Sequence, residues 1–335
     1  MKAAEKLITS YFIRSCKILK NLLLLTHNSE LNLAAYRQLG INIFTEESIT
    51  PQDYASIEIM LGWKPDISQK ILTVPNGSLK WLQTISAGVD YLPLKTLKEK
   101  KVIVSNVSGV HAAPISQTVL LYALYFMRDL PQVLESSAQH HWETQADFGD
   151  AFVLNETTWT IFGTGHIGSE LARLLQAFHA KTIGVNRTGH KAAHFDDTFA
   201  QDDWRHAVAK SDVLVNIMPL TPQTTHFFDK TFFDALHNTY LFINVGRGKS
   251  VDTTALIEAL NQQKLQHAAL DVFEEEPLPS DNALWQMKNV LITPHYSAQT
   301  KHQGQAWDKI FLPNLKQFMR DGTVPINQIN MQNGY

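Results

Sequence analysis

Cysteine is nearly absent from the sequence, since Cys16 is the single example in 335 residues. One thiol cannot close an internal disulfide, which excludes a disulfide-stapled secreted fold and favours a cytoplasmic protein. The sequence also has no apolar run near the length of about 20 residues that crosses a bilayer, so no membrane span is expected. A formal net charge of −3 provides no strong field, and neither nucleic acid nor a membrane surface is an expected partner.

The remaining composition is typical of a globular protein with room for two domains. Hydrophobic residues make up 44% of the chain and charged residues 18%, which is not the composition of a disordered chain. Short apolar runs alternate with helical patterns, as in α/β domains with parallel sheets. The strands expected from these runs are residues 22–25, 41–44, 57–61, 71–72, 82–85 and 102–104 in the first half, and 159–162, 182–185, 213–217, 240–245, 268–272 and 290–293 in the second.

The order of these runs predicts two doubly wound parallel-sheet domains of the α/β class. A Rossmann cofactor domain is expected over residues 107–294, and a long apolar helix at 112–127 belongs to its first part. The amphipathic segment 310–320 is expected to return to the first domain. That substrate domain is therefore predicted to be discontinuous and flavodoxin-like, built from residues 1–106 and 295–335.

The strongest local motif is a strand followed by G-x-G-x-x-G and a helix. Gly163, Gly165 and Gly168 are its glycines, with His166 and Ile167 between the last two. In this context the first glycine permits a sharp turn, the second permits close approach of a pyrophosphate, and the third permits close packing of helix and strand. The motif predicts a dinucleotide site, and an ordinary glycine-rich turn is the alternative.

The next strand ends about twenty residues further on, where the ribose of a bound dinucleotide should lie. An NAD enzyme usually has Asp or Glu at this point, whereas this chain has Asn186, Arg187 and Thr188. Without a carboxylate to repel a 2′-phosphate, and with a guanidinium suited to bind one, the site favours NADP over NAD. The alternative is that Arg187 is a solvated loop cation.

Three candidate catalytic residues follow strands of the second half. Arg247 stands between two glycines, Glu276 closes a run of three glutamates, and His295 follows a proline at a strand end. Because the carboxyl ends of parallel strands face the ligand crevice, these side chains are expected to converge. An arginine can bind a carboxylate through paired N–H groups, and a histidine beside a glutamate can protonate a carbonyl oxygen. Taken singly, each is also consistent with a solvated surface residue.

Five segments together resemble the D-isomer-specific 2-hydroxyacid dehydrogenases, and they occur in that family's order. The segments are residues 163–168, 218–224, 244–248, 270–279 and 293–295. The resemblance implies an NAD(P)-dependent oxidoreductase that transfers a hydride between nicotinamide and a small 2-oxo acid. It also implies that Arg247 orients the substrate carboxylate, that His295 donates the proton and that Glu276 is its partner.

The same resemblance extends the list of binding residues. It places Asp271 on the nicotinamide side of the cofactor, Pro219 and Thr224 on the adenosine side, and Val245 among the cofactor contacts. In the first domain the resemblance implies substrate binding by Ala87 and Gly88, within residues 86–90, and by Trp63 and Lys64, within residues 62–65. This last segment is similar to the loop of glyoxylate/hydroxypyruvate reductases, and the alternative is that Trp63 is a packed surface tryptophan.

Two rival functions remain open beside the small-acid reductase. Within the family the rival is 3-phosphoglycerate dehydrogenase, whose substrate phosphate needs further cations beyond Lys64. From another class, the resembling transcriptional corepressors imply a non-catalytic nucleotide-sensing binding protein. No metal is expected, because the histidine pairs lack a third ligand at recognisable spacing. A homodimer is expected from the apolar helix at 112–127 and from Trp142 and Phe148 in the polar segment after it.

Overall fold

The computed structural model describes residues 19–144 and 151–331, and both Cys16 and Phe148 lie outside these ranges. The chain divides into two compact units, and each is built around its own parallel sheet. The first unit contains the described residues up to Val107 and from His302 onward, and the second contains Ser108–Lys301. The first unit is therefore discontinuous in sequence.

The first unit has a five-stranded sheet in which every pair of neighbouring strands is parallel. Its strands are β1 (Lys20–Leu24), β2 (Ile41–Thr45), β3 (Ile57–Leu61), β4 (Trp81–Gln83) and β5 (Ile103–Ser105), and its helices before residue 107 are α1 (Leu33–Gln38), α2 (Pro65–Thr73) and α3 (Leu94–Glu99). The strand order β2-β1-β3-β4-β5 is that of flavodoxin, as predicted. The order reverses between β1 and β3, so the loops that follow these strands border the position where such sheets bind ligands.

The last helix, Gln303–Asp321, completes the core of the first unit. The indole ring of Trp81 on β4 stacks on Phe311 with ring centroids 5.1 Å apart and lies 5.3 Å from the ring of Phe318. All three side chains are buried. Burial of aromatic surface of this size favours folding by roughly 2–3 kcal/mol per side chain. The predicted return of segment 310–320 to the first domain is confirmed.

The second unit has a seven-stranded parallel sheet in the order β12-β11-β10-β9-β6-β7-β8. Its elements are α4 (Ala112–Met127), α5 (Leu130–Ala138), β6 (Thr158–Phe162), α6 (His166–Ala177), β7 (Lys181–Asn186), β8 (Asp197–Ala200), α7 (Trp204–Val208), β9 (Val213–Asn216), α8 (Lys230–Asp234), β10 (Thr239–Asn244), α9 (Thr253–Asn261), β11 (Leu265–Leu270) and β12 (Val290–Ile292). This is the Rossmann order with one added strand, and it reverses between β6 and β9.

The central strands of this sheet are covered on both faces. All six residues of β10 are buried, and its central residues Leu241, Phe242 and Ile243 alternate between two cores. Leu241 and Ile243 pack into the core that contains α4 and α6, whereas Phe242 packs into the core that contains α8 and α9. Because side chains alternate across a strand, a continuous apolar run is what two buried faces require. No helix in the described part of the chain is long and apolar enough to cross a membrane.

One expectation about the elements was wrong, and one strand was missed. Residues 71–72 do not form a strand, because they belong to α2, in which Pro65 occupies the first turn and Ile71 and Leu72 face the core. The edge strand β8 was not predicted. Its residues are partly or fully exposed, so its sequence lacks the apolar run that marked the other strands.

The second crossing between the units also lies later than the predicted boundary at residue 294. Residues 295–301 belong to the second unit, although the prediction assigned them to the substrate domain. The reason is hydrogen bonding of the backbone. The N–H group of His295 donates to Asp271 O at 2.9 Å, and those of Tyr296 and Ser297 donate to the Asp271 carboxylate at 3.0 and 3.1 Å. These bonds hold the segment to the end of β11.

One histidine of the second unit lies against aromatic rings of the core. His267 on β11 stacks on Phe126 with ring centroids 4.6 Å apart and meets the edge of Tyr240 at 5.0 Å. Its Nδ1 atom is buried and has no hydrogen-bond partner among the described residues. Burial lowers the pKa of His267 below the ordinary 6.5, and the nearby Asp129 carboxylate opposes this shift.

The fold should therefore lose stability in weak acid partly through His267. Below about pH 6.5 the unfolded chain binds a proton that the folded chain resists, so the free energy of unfolding falls as pH falls. We expect His267→Phe to reduce this fall, measured by urea unfolding at several pH values between about 7.5 and 5.5. The exposed His237 provides the control His237→Gln, and an equal effect of both variants would contradict the assignment.

Candidate functional site

The glycine-rich turn joins β6 to α6 with the geometry that its sequence predicts. Gly163 has a φ of +108°, in the region that glycine adopts readily, and a Cβ atom there would lie 3.1 Å from the backbone of Ile217. A Cβ on Gly168 would lie 2.0 Å from Gly163 O, so only glycine permits this approach of helix and strand. A Cβ on Gly165 would meet no atom within 4 Å, which leaves the start of α6 open.

An open cleft of about 510 Å³ lies at this turn within the second unit. It is lined by Ala112, Thr164, Gly165, His166, Ser169, Glu170 and His194. The first N–H groups of a helix and its dipole favour a bound anion, and α6 is long enough for both effects. The predicted Ile167 instead packs on the core, and its carbonyl accepts a hydrogen bond from Ser116 at 3.2 Å. The turn fits a pyrophosphate.

Asn186 organises the loop at the predicted ribose position. Its Nδ2 donates to His190 O at 2.8 Å and to Thr164 Oγ1 at 3.1 Å, and its Oδ1 accepts from the N–H of Thr188 at 3.2 Å. The asparagine thereby ties the loop after β7 to the glycine-rich turn. Arg187 at the tip of this loop is exposed and makes no ion pair or hydrogen bond with the described part of the chain.

The loop after β9 is folded by its own threonine. Thr224 is buried, and its hydroxyl accepts from the N–H of Thr221 at 2.7 Å and donates to Pro219 O at 2.7 Å. These bonds close a compact turn beside the end of β9. Val245, the other predicted cofactor contact of this region, is buried in the core. Thr224 therefore shapes the backbone of its loop, Val245 packs in the core, and the binding roles of both remain predictions.

Glu276 and His295 are brought together as predicted. The Nδ1 atom of His295 lies 2.8 Å from Glu276 Oε2, and both side chains remain partly exposed. The other carboxylate oxygen of Glu276 accepts the N–H of Phe273 at 2.9 Å, which fixes the glutamate on its loop. A histidine held through Nδ1 presents Nε2 to a substrate, and a carboxylate partner stabilises the imidazolium. The pair can therefore donate and accept a proton.

Arg247 occupies the neighbouring loop, which follows β10. A Cβ on Gly248 would lie 1.8 Å from Phe273 O, so the arginine loop rests directly on the backbone of the loop that carries Glu276. On the other side, a Cβ on Gly246 would lie 3.0 Å from Met218 O. The Nη1 atom of Arg247 donates to Gly246 O at 2.9 Å. The arginine loop thus lies between the glutamate loop and the loop after β9.

Asp271 is fully buried at the end of β11, and it anchors the loop that carries the histidine. Its Oδ1 accepts from Thr293 Oγ1 at 2.7 Å and from the N–H of Tyr296 at 3.0 Å, and its Oδ2 accepts from the N–H of Ser297. The hydroxyl of Tyr122 lies 2.6 Å from Thr293 Oγ1. Burial raises the pKa of Tyr122, which keeps this hydroxyl neutral.

The predicted substrate residues lie in the first unit, after β3 and β4. Ser86 Oγ donates to Gly88 O at 2.8 Å, and Asn106 Nδ2 donates to Ala87 O at 2.6 Å. The N–H groups of Ala87 and Gly88 donate to no acceptor among the described residues. With the carbonyls held and the amides available, this loop can bind an anion such as a carboxylate.

Trp63 and Lys64 follow β3, at the reversal of strand order. Trp63 is half-buried and packs against the core of the first unit, as the alternative interpretation expected. The ammonium group of Lys64 forms an ion pair with the carboxylate of Glu46. The positive charge of Lys64 is therefore already balanced within the unit. Within the described residues no group of three or more His, Cys, Asp and Glu side chains could hold a metal ion.

The chain matches a known family model and curated relatives. The model for the D-isomer specific 2-hydroxyacid dehydrogenase, NAD binding domain, matches residues 120–297, which is more than half of the chain. The glyoxylate/hydroxypyruvate reductase B of Salmonella typhi is 31% identical over 254 residues, which span 74% of this chain and 77% of the relative.

Solved structures agree with this match. A phosphoglycerate dehydrogenase from Lactobacillus plantarum is 39% identical, with a TM-score of 0.56 over 93% of this chain and 100% of that chain. A D-isomer specific 2-hydroxyacid dehydrogenase from Xanthobacter autotrophicus, in complex with NADPH and MES, is 26% identical, with a TM-score of 0.80 over 95% of this chain and 100% of that one. The chain therefore belongs to the D-isomer-specific 2-hydroxyacid dehydrogenases, a family of NAD(P)-dependent oxidoreductases, as its motifs predicted.

Proposed function

We propose that this protein is an NADPH-preferring reductase of small 2-oxo acids of the glyoxylate or hydroxypyruvate type. The observation that carries the proposal is the contact of 2.8 Å between His295 and Glu276, placed at the carboxyl ends of Rossmann strands. The relative from Salmonella typhi supports the substrate class. The cytoplasmic location expected from the single cysteine is part of the same proposal.

The residues present fit a dinucleotide. Gly165 has no side chain and the start of α6 is open, so a pyrophosphate can approach the helix N-terminus. Asn186 folds the loop that presents Arg187 and Thr188. The exposed guanidinium of Arg187 has no internal partner in the described part of the chain and suits a 2′-phosphate. The NADPH complex of the Xanthobacter autotrophicus structure supports this preference. When bound, the reduced nicotinamide supplies the hydride.

The chain's own residues then orient the acid and move one proton. Arg247 binds the substrate carboxylate through its fork of N–H groups and polarises the adjacent carbonyl. In the first unit, the amides of Ala87 and Gly88 lie on a loop that suits an anionic group. His295, held through Nδ1 by Glu276, donates its Nε2 proton to the carbonyl oxygen as negative charge develops there. In the oxidation of a 2-hydroxy acid the same imidazole accepts the hydroxyl proton.

Phosphoglycerate dehydrogenase is the second candidate, and the identity of 39% to the Lactobacillus plantarum enzyme favours it. The ion pair between Lys64 and Glu46 counts against it. A substrate phosphate at this loop would have to displace or face the Glu46 carboxylate, which repels it. A nucleotide-sensing protein without turnover is the third candidate, and reductase activity of the purified protein would exclude it.

Turnover tests the catalytic assignment. Purified protein should consume NADPH with glyoxylate or hydroxypyruvate, measured by loss of absorbance of the reduced nicotinamide. We expect His295→Gln to lower kcat by about 10²- to 10⁴-fold without weakening cofactor binding, because glutamine cannot donate the imidazolium proton.

The chain provides a matched control for this variant. His226 and Glu274 form a second histidine–glutamate pair in the same unit, with a distance of 2.7 Å and similar exposure. His226→Gln removes the same kind of contact and should leave kcat unchanged. Equal losses in the two variants would show that His295 has no special role, and faster turnover of 3-phosphoglycerate with NAD would favour the second candidate.

Cofactor preference tests the role of Arg187. Arg187→Ser removes a charged hydrogen-bond donor to the 2′-phosphate, so we expect kcat/KM for NADPH to fall by about 10- to 100-fold while that for NADH stays unchanged. Arg205→Ser, which removes an exposed arginine of α7, is the control for net charge. A wild-type protein that prefers NADH would overturn the NADP assignment and leave the chemistry intact.

The homodimer is part of the proposal. The second unit exposes large apolar side chains on α4, α5 and the segment after them, including Leu121 and Leu134, each 53% exposed, and Trp142, 89% exposed. Exposed apolar side chains grouped on consecutive elements favour a protein contact there. We expect sedimentation equilibrium to give twice the chain mass, and Leu121→Glu to give the single chain mass. Phe178→Glu alters an exposed aromatic side chain elsewhere in the unit and should leave the protein at twice the chain mass. A monomeric wild type would contradict the proposal.

A further inference from the structure

Three polar side chains are buried beneath the arginine loop, and the sequence alone predicted no role for any of them. Asn216 ends β9, Asn244 ends β10 and Ser250 follows the arginine loop. Their exposed fractions are 0%, 1% and 0%. Buried polar groups are costly unless they are paired, so their retention in a core of Val, Leu and Phe needs a reason.

The three side chains form one closed network. Asn216 Nδ2 donates to Asn244 Oδ1 at 2.9 Å and to Ser250 Oγ at 2.7 Å. Asn216 Oδ1 accepts the N–H of Met218 at 3.1 Å, and Asn244 Oδ1 also accepts the N–H of Gly246 at 3.1 Å. The amide and hydroxyl groups of the network are therefore engaged with one another and with two loop backbones.

The network converges on the backbone of Arg247. Asn244 Nδ2 donates to Arg247 O at 3.2 Å, and Ser250 Oγ donates to the same oxygen at 2.6 Å. The N–H of Ser250 donates to it as well, at 3.3 Å. One carbonyl oxygen thus receives three donors, two of them from fully or almost fully buried side chains. The peptide from which the guanidinium extends is held in one orientation.

We propose that Asn216, Asn244 and Ser250 form a buried platform that positions Arg247 for the substrate carboxylate. The inference rests on the proposed role of Arg247 and names the residues through which the fold fixes it. An arginine side chain has several rotatable bonds, so its reach to a carboxylate is reproducible only if its backbone is fixed. The hydrogen bond from Met218 to Asn216 joins the same platform to the loop after β9.

The test is a double-mutant cycle with Ser250→Ala, Arg247→Gln and both together. Ser250→Ala removes a donor to Arg247 O and the acceptor of Asn216 Nδ2, so kcat/KM for the 2-oxo acid should fall about tenfold, chiefly through KM for the acid. The KM for NADPH should not change. In the Arg247→Gln background Ser250→Ala should have no further effect on kcat/KM, because the platform acts only through the arginine.

Ser211→Ala is the matched control at the opposite end of β9. The hydroxyl of Ser211 is also buried, donates to Ala207 O at 2.9 Å and bonds to Thr160 Oγ1. Both Ser211→Ala and Ser250→Ala should lower the midpoint of thermal unfolding, but Ser211→Ala should leave kcat/KM unchanged. If Ser250→Ala fails to fold, Ser250→Cys tests the same point, since a thiol keeps the shape but is a weak hydrogen-bonding group.

The outcomes separate the inference from the function on which it rests. Equal kcat/KM in Ser250→Ala and Ser211→Ala would overturn the platform while leaving the reductase in place. A tenfold loss of kcat/KM on Ser250→Ala that persists in the Arg247→Gln background would also overturn the platform, because Ser250 would then act through another residue. A wild-type protein that turns over no 2-oxo acid would overturn the proposed function and, with it, the purpose assigned to the platform.

Discussion

The buried carboxylate of Asp271 is the constraint on which the site of the second unit depends. A fully buried charge at a strand end must be compensated, and here donors from Thr293 and from the backbone of Tyr296 and Ser297 do so. Those donors lie on both sides of His295, so compensation of the charge also determines where the histidine stands. Glu276 lies on the loop that follows Asp271, close enough along the chain to reach His295 and form the ion pair.

The three loops at the carboxyl ends of β9, β10 and β11 behave as one assembly. Asn216 hydrogen-bonds the backbone of the first, Arg247 belongs to the second, and Phe273 and Glu276 belong to the third. Gly246 and Gly248 permit contact between them because neither carries a side chain. The backbones of the loops that carry Arg247 and Glu276 are therefore held against each other by direct contact and by buried hydrogen bonds. Exposed ion pairs contribute little stability by themselves.

Most of the architecture was predictable from local patterns, because continuous apolar runs and the glycine spacing depend on nearest neighbours in sequence. The Rossmann unit, the helix at 112–127 and the return of the last helix follow from such patterns. The balanced charge of Lys64, the strand β8 and the network of Asn216 and Ser250 were not predictable. Each depends on contacts between segments that are distant in sequence, such as the ion pair of Lys64 with Glu46. The pattern of residues within one segment cannot predict such contacts.

The discontinuous core of the first unit also has a consequence for biosynthesis. Trp81 is covered by Phe311 and Phe318, which emerge from the ribosome only after the whole of the second unit has been made. The second unit can therefore complete its core first, while the indole ring of Trp81 on β4 is still exposed to water. A nascent chain can therefore reach a stage in which the second unit is folded and the first unit still needs its final helix.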